Sequence, residues 1–173
     1  MEEVLFDSSR AAGDMAVEII SRKPGVFGQA YAMCMAQQGK LALRAARVVQ
    51  LVAEQHPELF KPYYSDMLES LPSLHHNAVK RSMLKILTFF DLPEDEDQHG
   101  MIIDTCFRWM NDAGEEIAIR AYAALVLKRM TGIYPEITGE LMAALQMTID
   151  NAKDTLSNWA GKMLNDIRRE AIP

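Results

Sequence analysis

Leu43-Arg44-Ala45-Ala46-Arg47-Val48-Val49-Gln50-Leu51-Val52 is a helix in which nearly every position but the arginines is apolar or small. Two later stretches repeat its pattern: Lys80-Arg81-Ser82-Met83-Leu84 running on to Ile86-Leu87, and Ile119-Arg120-Ala121-Tyr122-Ala123 running on to Leu125-Val126-Leu127. Arg44, Arg81 and Arg120 are separated by 37 and then 39 residues. A period of that size leaves room for two helices per unit and marks an α-solenoid, in which each unit packs on its neighbours. The prolines keep the same beat. Pro57, Pro93 and Pro135 follow the three arginines by 13, 12 and 15 residues, and Arg10 with Pro24 reads as a degenerate earlier copy. Asn158, 38 residues after Arg120 and followed by Trp159-Ala160-Gly161, reads as a late, altered one.

Working outward, the apolar period is helical almost everywhere. Phe27, Ala30, Tyr31 and Cys34 fall at i, i+3, i+4 and i+7, as do Ile103, Cys106, Phe107 and Met110. That spacing lines one face of a helix, and no stretch alternates as a strand would. Glycine and proline punctuate the pattern. The breaks predict about nine helices, near 8–22, 25–38, 40–55, 57–71, 76–90, 96–111, 115–131, 134–149 and 153–170. Residues 1–173 are expected to form one all-α domain, a right-handed superhelix of about four to five helix pairs. The helix at 40–55 is apolar over most of its circumference, leaving only Arg44, Arg47, Gln50 and Glu54 polar, so it must be covered on both flanks. The last helix sets Leu156, Trp159, Met163, Leu164 and Ile167 on one face and charged residues, from Lys153 and Asp154 to Arg168 and Arg169, on the rest. One wet face suits a C-terminal cap.

Composition bounds the function classes. With 49% hydrophobic and 24% charged residues among 173, the chain reads as an ordinary globular domain. Its acidic start, Met1 to Asp7, lacks the basic and apolar regions of a secretory signal, and no apolar run reaches the length of a membrane span. Two cysteines, Cys34 and Cys106, lie among apolar neighbours and fit buried thiols in a reducing compartment, so a cytoplasmic location is expected. A net charge of −6 argues against a dedicated nucleic-acid binder.

On these residues the chain resembles the HEAT-repeat family, among small adaptin-like and importin-like α-solenoids. The family's second helix follows a turn aspartate and opens with a small apolar residue, an arginine and alanines; Asp112 with Ile119, Arg120, Ala121 and Ala123 matches it. Leu43 to Ala46 match without the aspartate, Lys80 and Arg81 keep the basic residue but Ser82 and Met83 replace the alanines, and Asp150 keeps the aspartate where Asn158 replaces the arginine. Pro57 to Tyr64 resemble a first helix. The resemblance implies a curved scaffold that binds other macromolecules, usually proteins, with its second helices on the concave surface.

It also implies where to look. Arg44, Arg81 and Arg120, with Arg47, Lys80, Lys85 and Lys128 nearby, would form a basic ridge for an acidic partner. Against this, the family's arginine often pairs with a turn aspartate, and Asp112 and Asp150 are present. The internal ladder is favoured for the three aligned arginines, leaving Arg47, Lys85 and Lys128 as the exposed set. The acidic loop Asp91 to Asp97 lacks the spaced ligands of a calcium loop and reads as a helix start or as a dock for a basic partner. His56, His75, His76 and His99 form no metal pattern and read as surface or capping residues. Methionines such as Met33, Met35, Met83, Met101 and Met110 read as core at these spacings. No phosphate loop, nucleophile elbow or other catalytic set is present, and neither a cofactor nor a metal is expected.

The function expected is therefore a non-catalytic adaptor for a partner peptide or domain. The alternatives are a DNA-binding protein like the HEAT-like alkylpurine glycosylases, for which Trp109 and Trp159 would supply aromatic groups, and an enzyme accessory like the HEAT-like bilin lyases. Val17, Ile20 and Val26, off the main apolar stripes, leave a homodimer open.

Overall fold

Proline and glycine set where the helices stop, and the apolar period sets which side each one buries. A computed structural model describes residues 9–151 and 155–170, and all regular structure among them is helical. The α-helices are α1 (Arg10–Arg22), α2 (Phe27–Met35), α3 (Gly39–Gln55), α4 (Pro57–Phe60), α5 (Tyr64–Ser70), α6 (Asn77–Leu87), α7 (Glu96–Asn111), α8 (Ile117–Met130), α9 (Thr138–Asn151) and α10 (Thr155–Glu170). The expected helices are found to within a few residues, with one exception. The helix expected over 57–71 is interrupted: a 3-10 turn at Lys61–Tyr63 separates α4 from α5, and another at Leu71–Ser73 ends α5. Pro62 and Pro72 lie in those turns; each lacks an amide proton and its ring crowds the preceding turn, so the α-helical ladder cannot run through. Met1 to Asp7, Lys153 and Asp154 lie outside the described residues.

Two compact units meet in sequence between Glu94 and Asp95. The first is organised around α3, which packs against α1, α2, α4 and α6. Ala42, Ala45, Ala46, Val48, Val49 and Val52 are buried, as a helix apolar on most sides requires. Gly13 lets α1 come close, since a Cβ there would sit 3.1 Å from Leu51 Cδ1. Val17 and Ile20 belong to this core. The apolar residues that left a dimer open are thus occupied within the unit, apart from the half-buried Val26.

The turn from α2 to α3 holds a less ordinary device. Gln37 has a φ of +54°, a left-handed conformation that non-glycine residues rarely adopt. That conformation goes with a side chain whose Oε1 accepts the backbone amides of His75 (2.8 Å) and His76 (3.1 Å), just ahead of α6. In return His76 Nε2 donates to the Gly39 carbonyl at 3.1 Å. Orphan amides at a helix start need such an acceptor, and here one helix pair supplies it to the next.

In the second unit α7 pairs with α8 and α9 with α10, while α8 also meets α9 and α10. Ile102, Cys106, Ile119, Val126, Leu145 and Leu164 are among its buried residues. The N-terminus of α7 is capped by Asp95, whose Oδ1 accepts from the Asp97 amide at 2.9 Å. That part of the acidic loop starts a helix, as its charges suggested. Within α10, Leu156, Ala160, Met163, Leu164 and Ile167 are buried and Lys162, Asp166, Arg168 and Arg169 are exposed.

Candidate protein-interaction surfaces

On α3 the outward residues are Lys40, Leu43, Arg44 and Arg47, at the i, i+3, i+4, i+7 spacing of one helical stripe. Lys40 and Arg47 are exposed, Arg44 is half-buried, and Leu43 is 36% exposed. Gln50, expected in the polar stripe, is buried, and Glu54 ends it. On α6, packed beside α3, Arg81 and Lys85 are half-buried and one turn apart, while Lys80 is only 8% exposed. The first unit therefore carries Lys40, Arg44, Arg47, Arg81 and Lys85 at outward or partly outward positions of two neighbouring helices. Lys40 was missed in the sequence because it lies in the first turn of its helix, ahead of the repeated motif.

The two basic candidates of the second unit are engaged internally. Arg120 Nε donates to the Met110 carbonyl at 2.9 Å and Nη2 reaches Thr148 Oγ1 at 3.4 Å, which ties α8 to the end of α7 and to α9. Arg120 is engaged within the fold but not in the aspartate ladder favoured for it: Asp112 Oδ1 instead accepts the Gly114 amide, and Asp150 Oδ1 accepts from Gln146 Nε2. Lys128 Nζ pairs with Glu170 at 2.8 Å.

A cleft of about 650 Å³ opens in the first unit between the end of α3, the start of α4 and α5, and residues 89–94. Tyr64 and Phe90 face it with ring centroids 4.8 Å apart, and Phe89, 37% exposed, lies alongside. Phe90 also stands edge-on to the fully buried Phe60, at 5.2 Å, which fixes its ring. The rim carries Glu54, Glu58, Asp91 and Glu94 against the single ammonium of Lys61. The acidic loop, with Phe89 and Phe90 just ahead of it, supplies one wall of this site; the other wall, with Glu54, Glu58 and Tyr64, comes from a different helix pair and was illegible.

Other candidates resolve into structure. Cys34 and Cys106 are free and buried, and burial pushes the Cys34 thiol up to about 12 and the Cys106 thiol higher still. His99, expected at the surface or in a cap, is 7% exposed, with Nδ1 2.9 Å from the Tyr134 hydroxyl. Its ring completes the packing between α7 and the turn before α9, a contact 35 residues apart that local spacing does not reveal. Trp109 is buried and Trp159 half-buried, so Trp109 is not available to stack on a base. Among the described residues no group of three or more His, Cys, Asp or Glu side chains is placed to hold a metal, and no helix is long and apolar enough to cross a membrane.

The family model of the HEAT repeat domain matches residues 7–165, nearly the whole chain. The chain belongs to the HEAT-repeat family. No curated protein and no solved structure matches it. HEAT repeats generally serve as protein-interaction scaffolds and are typically non-catalytic. In this HEAT-repeat domain two surfaces of opposite sign lie on the first unit, a basic stripe on α3 and α6 and an acidic, aromatic cleft at the far end of α3.

Proposed function

We propose that this HEAT-repeat domain is a non-catalytic adaptor that holds an acidic segment of a partner protein along α3 and α6. The observation that carries the reading is the stripe Lys40, Arg44, Arg47, where every charge facing outward is positive until Glu54. A row of like charges on a rigid helix steers and registers an oppositely charged chain, and guanidinium groups add bidentate hydrogen bonds to carboxylates. Lys40 and Arg47, the exposed members, make the first contact. Arg44, Arg81 and Lys85 are half-buried beside them, and Lys80 is buried. Arg120 and Lys128 belong to the second unit and carry no part of this reading. The two buried, unpaired thiols fit work in a reducing compartment, which supports the cytoplasm.

The test compares the wild type with a Lys40→Glu/Arg47→Glu variant in affinity capture, with nuclease present and folding checked by circular dichroism. A partner held by the wild type, lost by the folded variant and released by salt is the expected result. Equal capture by both proteins would refute the stripe as the binding surface.

A further inference from the structure

We infer that the acidic, aromatic cleft of the first unit is a second docking site, and that it takes a cationic segment of a partner protein, an arginine or lysine with an apolar side chain beside it. The inference is independent of the basic stripe. Its volume of about 650 Å³ lies within the range of ligand-binding clefts. The chemistry of the walls selects the occupant.

Three aromatic rings face the cleft: Tyr64, Phe89 and Phe90. Two of them are held rigidly, Phe90 edge-on to buried Phe60 and Tyr64 at 4.8 Å from Phe90. Phe89 is 37% exposed and presents part of its ring to the opening. The negative faces of such rings attract a guanidinium or ammonium group.

The rim reinforces the same choice. Glu54, Glu58, Asp91 and Glu94 outnumber Lys61, and Glu54, Asp91 and Glu94 form no ion pair among the described residues. Four carboxylates around a concave apolar surface repel one another, and the low-dielectric wall focuses their field into the opening. A cation relieves that repulsion. An acidic peptide or a nucleic acid would increase it, and a purely apolar ligand would strip water from the carboxylates without replacing it. The apolar neighbour is required because Ala53, Leu92 and Pro93 continue the wall beyond the rings.

The experiment uses the full chain and a bead-displayed library of random heptapeptides, with the selected peptides then measured in solution. Peptides enriched in arginine or lysine next to an apolar residue are the expected product. Their Kd should rise roughly tenfold or more in an Asp91→Lys/Glu94→Lys variant, which alters two exposed side chains. A Phe89→Ala variant should weaken them by roughly threefold to tenfold, since it removes one ring face. An Arg47→Glu variant, changed on the other surface, should leave them unaltered. Selection of acidic peptides, absence of cationic enrichment, or equal binding by the Asp91→Lys/Glu94→Lys variant would overturn the inference. So would a concentration-dependent dimer in sedimentation that this variant abolishes, because the occupant would then be a second copy of the chain.

Discussion

Cys34 and Cys106 show how much a single residue discloses from its neighbours. Each sits on an apolar helical face, and each is buried. A thiol whose ionisation is pushed up by burial stays protonated in the folded state, so its contribution to stability is complete below the unfolded value near 9. It is lost progressively as pH rises from there towards the folded value, about 12 for Cys34. Native protein at pH 8 should therefore leave a disulfide reagent uncoloured, with both thiols titrating after denaturation; rapid reaction of the native protein would contradict their burial. Tyr31 was less legible. Its hydroxyl donates to Asp66 Oδ2 at 2.7 Å across 35 residues, and no local pattern announces that bond. Tyr31→Phe should lower stability in urea unfolding by about 1 kcal/mol, because water can replace the hydroxyl at the exposed Asp66. No change would mean that the bond contributes nothing in solution.

At the scale of elements, helix positions were readable because glycine and proline act locally, whereas the ties between helices were not. The line of three arginines illustrates the difference. Their spacing located three equivalent helices, yet only the fold shows Arg120 bonded to the end of α7 while Arg47 remains outside. Arg120→Met keeps most of the stem but removes the donors, and should destabilise the protein by about 2 kcal/mol. Lysine should not restore it, since an ammonium cannot reproduce the fork that reaches both a carbonyl and Thr148. The turn at Gln37 offers a sharper comparison. Gln37→Ala loses two bonds to the amides ahead of α6 and keeps the left-handed backbone, for a loss of about 2 kcal/mol. Gln37→Gly loses the same bonds but relieves the backbone by about 1 kcal/mol, so it should unfold at a higher denaturant concentration than the alanine variant. The reverse order would show that the side chain does not hold α6.

For the whole molecule, the 37- and 39-residue period carried the architecture, while a net charge of −6 conceals how the charge is sorted. Basic side chains gather on the outward stripes of α3 and α6, and carboxylates gather around the cleft. Sequence distance hides that sorting, because the cleft joins residues 53–64 to residues 89–94. Clustering like charges works against stability, so the Asp91→Lys/Glu94→Lys variant should melt at a slightly higher temperature than the wild type in dilute buffer. The gain should fade at high salt, where the Debye length shrinks to about 3 Å. A variant that melts lower at every salt concentration would mean that these carboxylates brace the loop.

The amide-to-Gln37 bonds also bear on how such a chain can change its length. Repeat proteins grow and shrink by duplicating or deleting whole units, and a unit that caps only itself can be removed cleanly. Here the turn of one helix pair completes the start of α6 in the next, so excision of residues between them would leave Gln37 facing a foreign turn and two amides unmet. The junction between these pairs should therefore resist rearrangement, and a duplicated pair should have to bring its own glutamine with it.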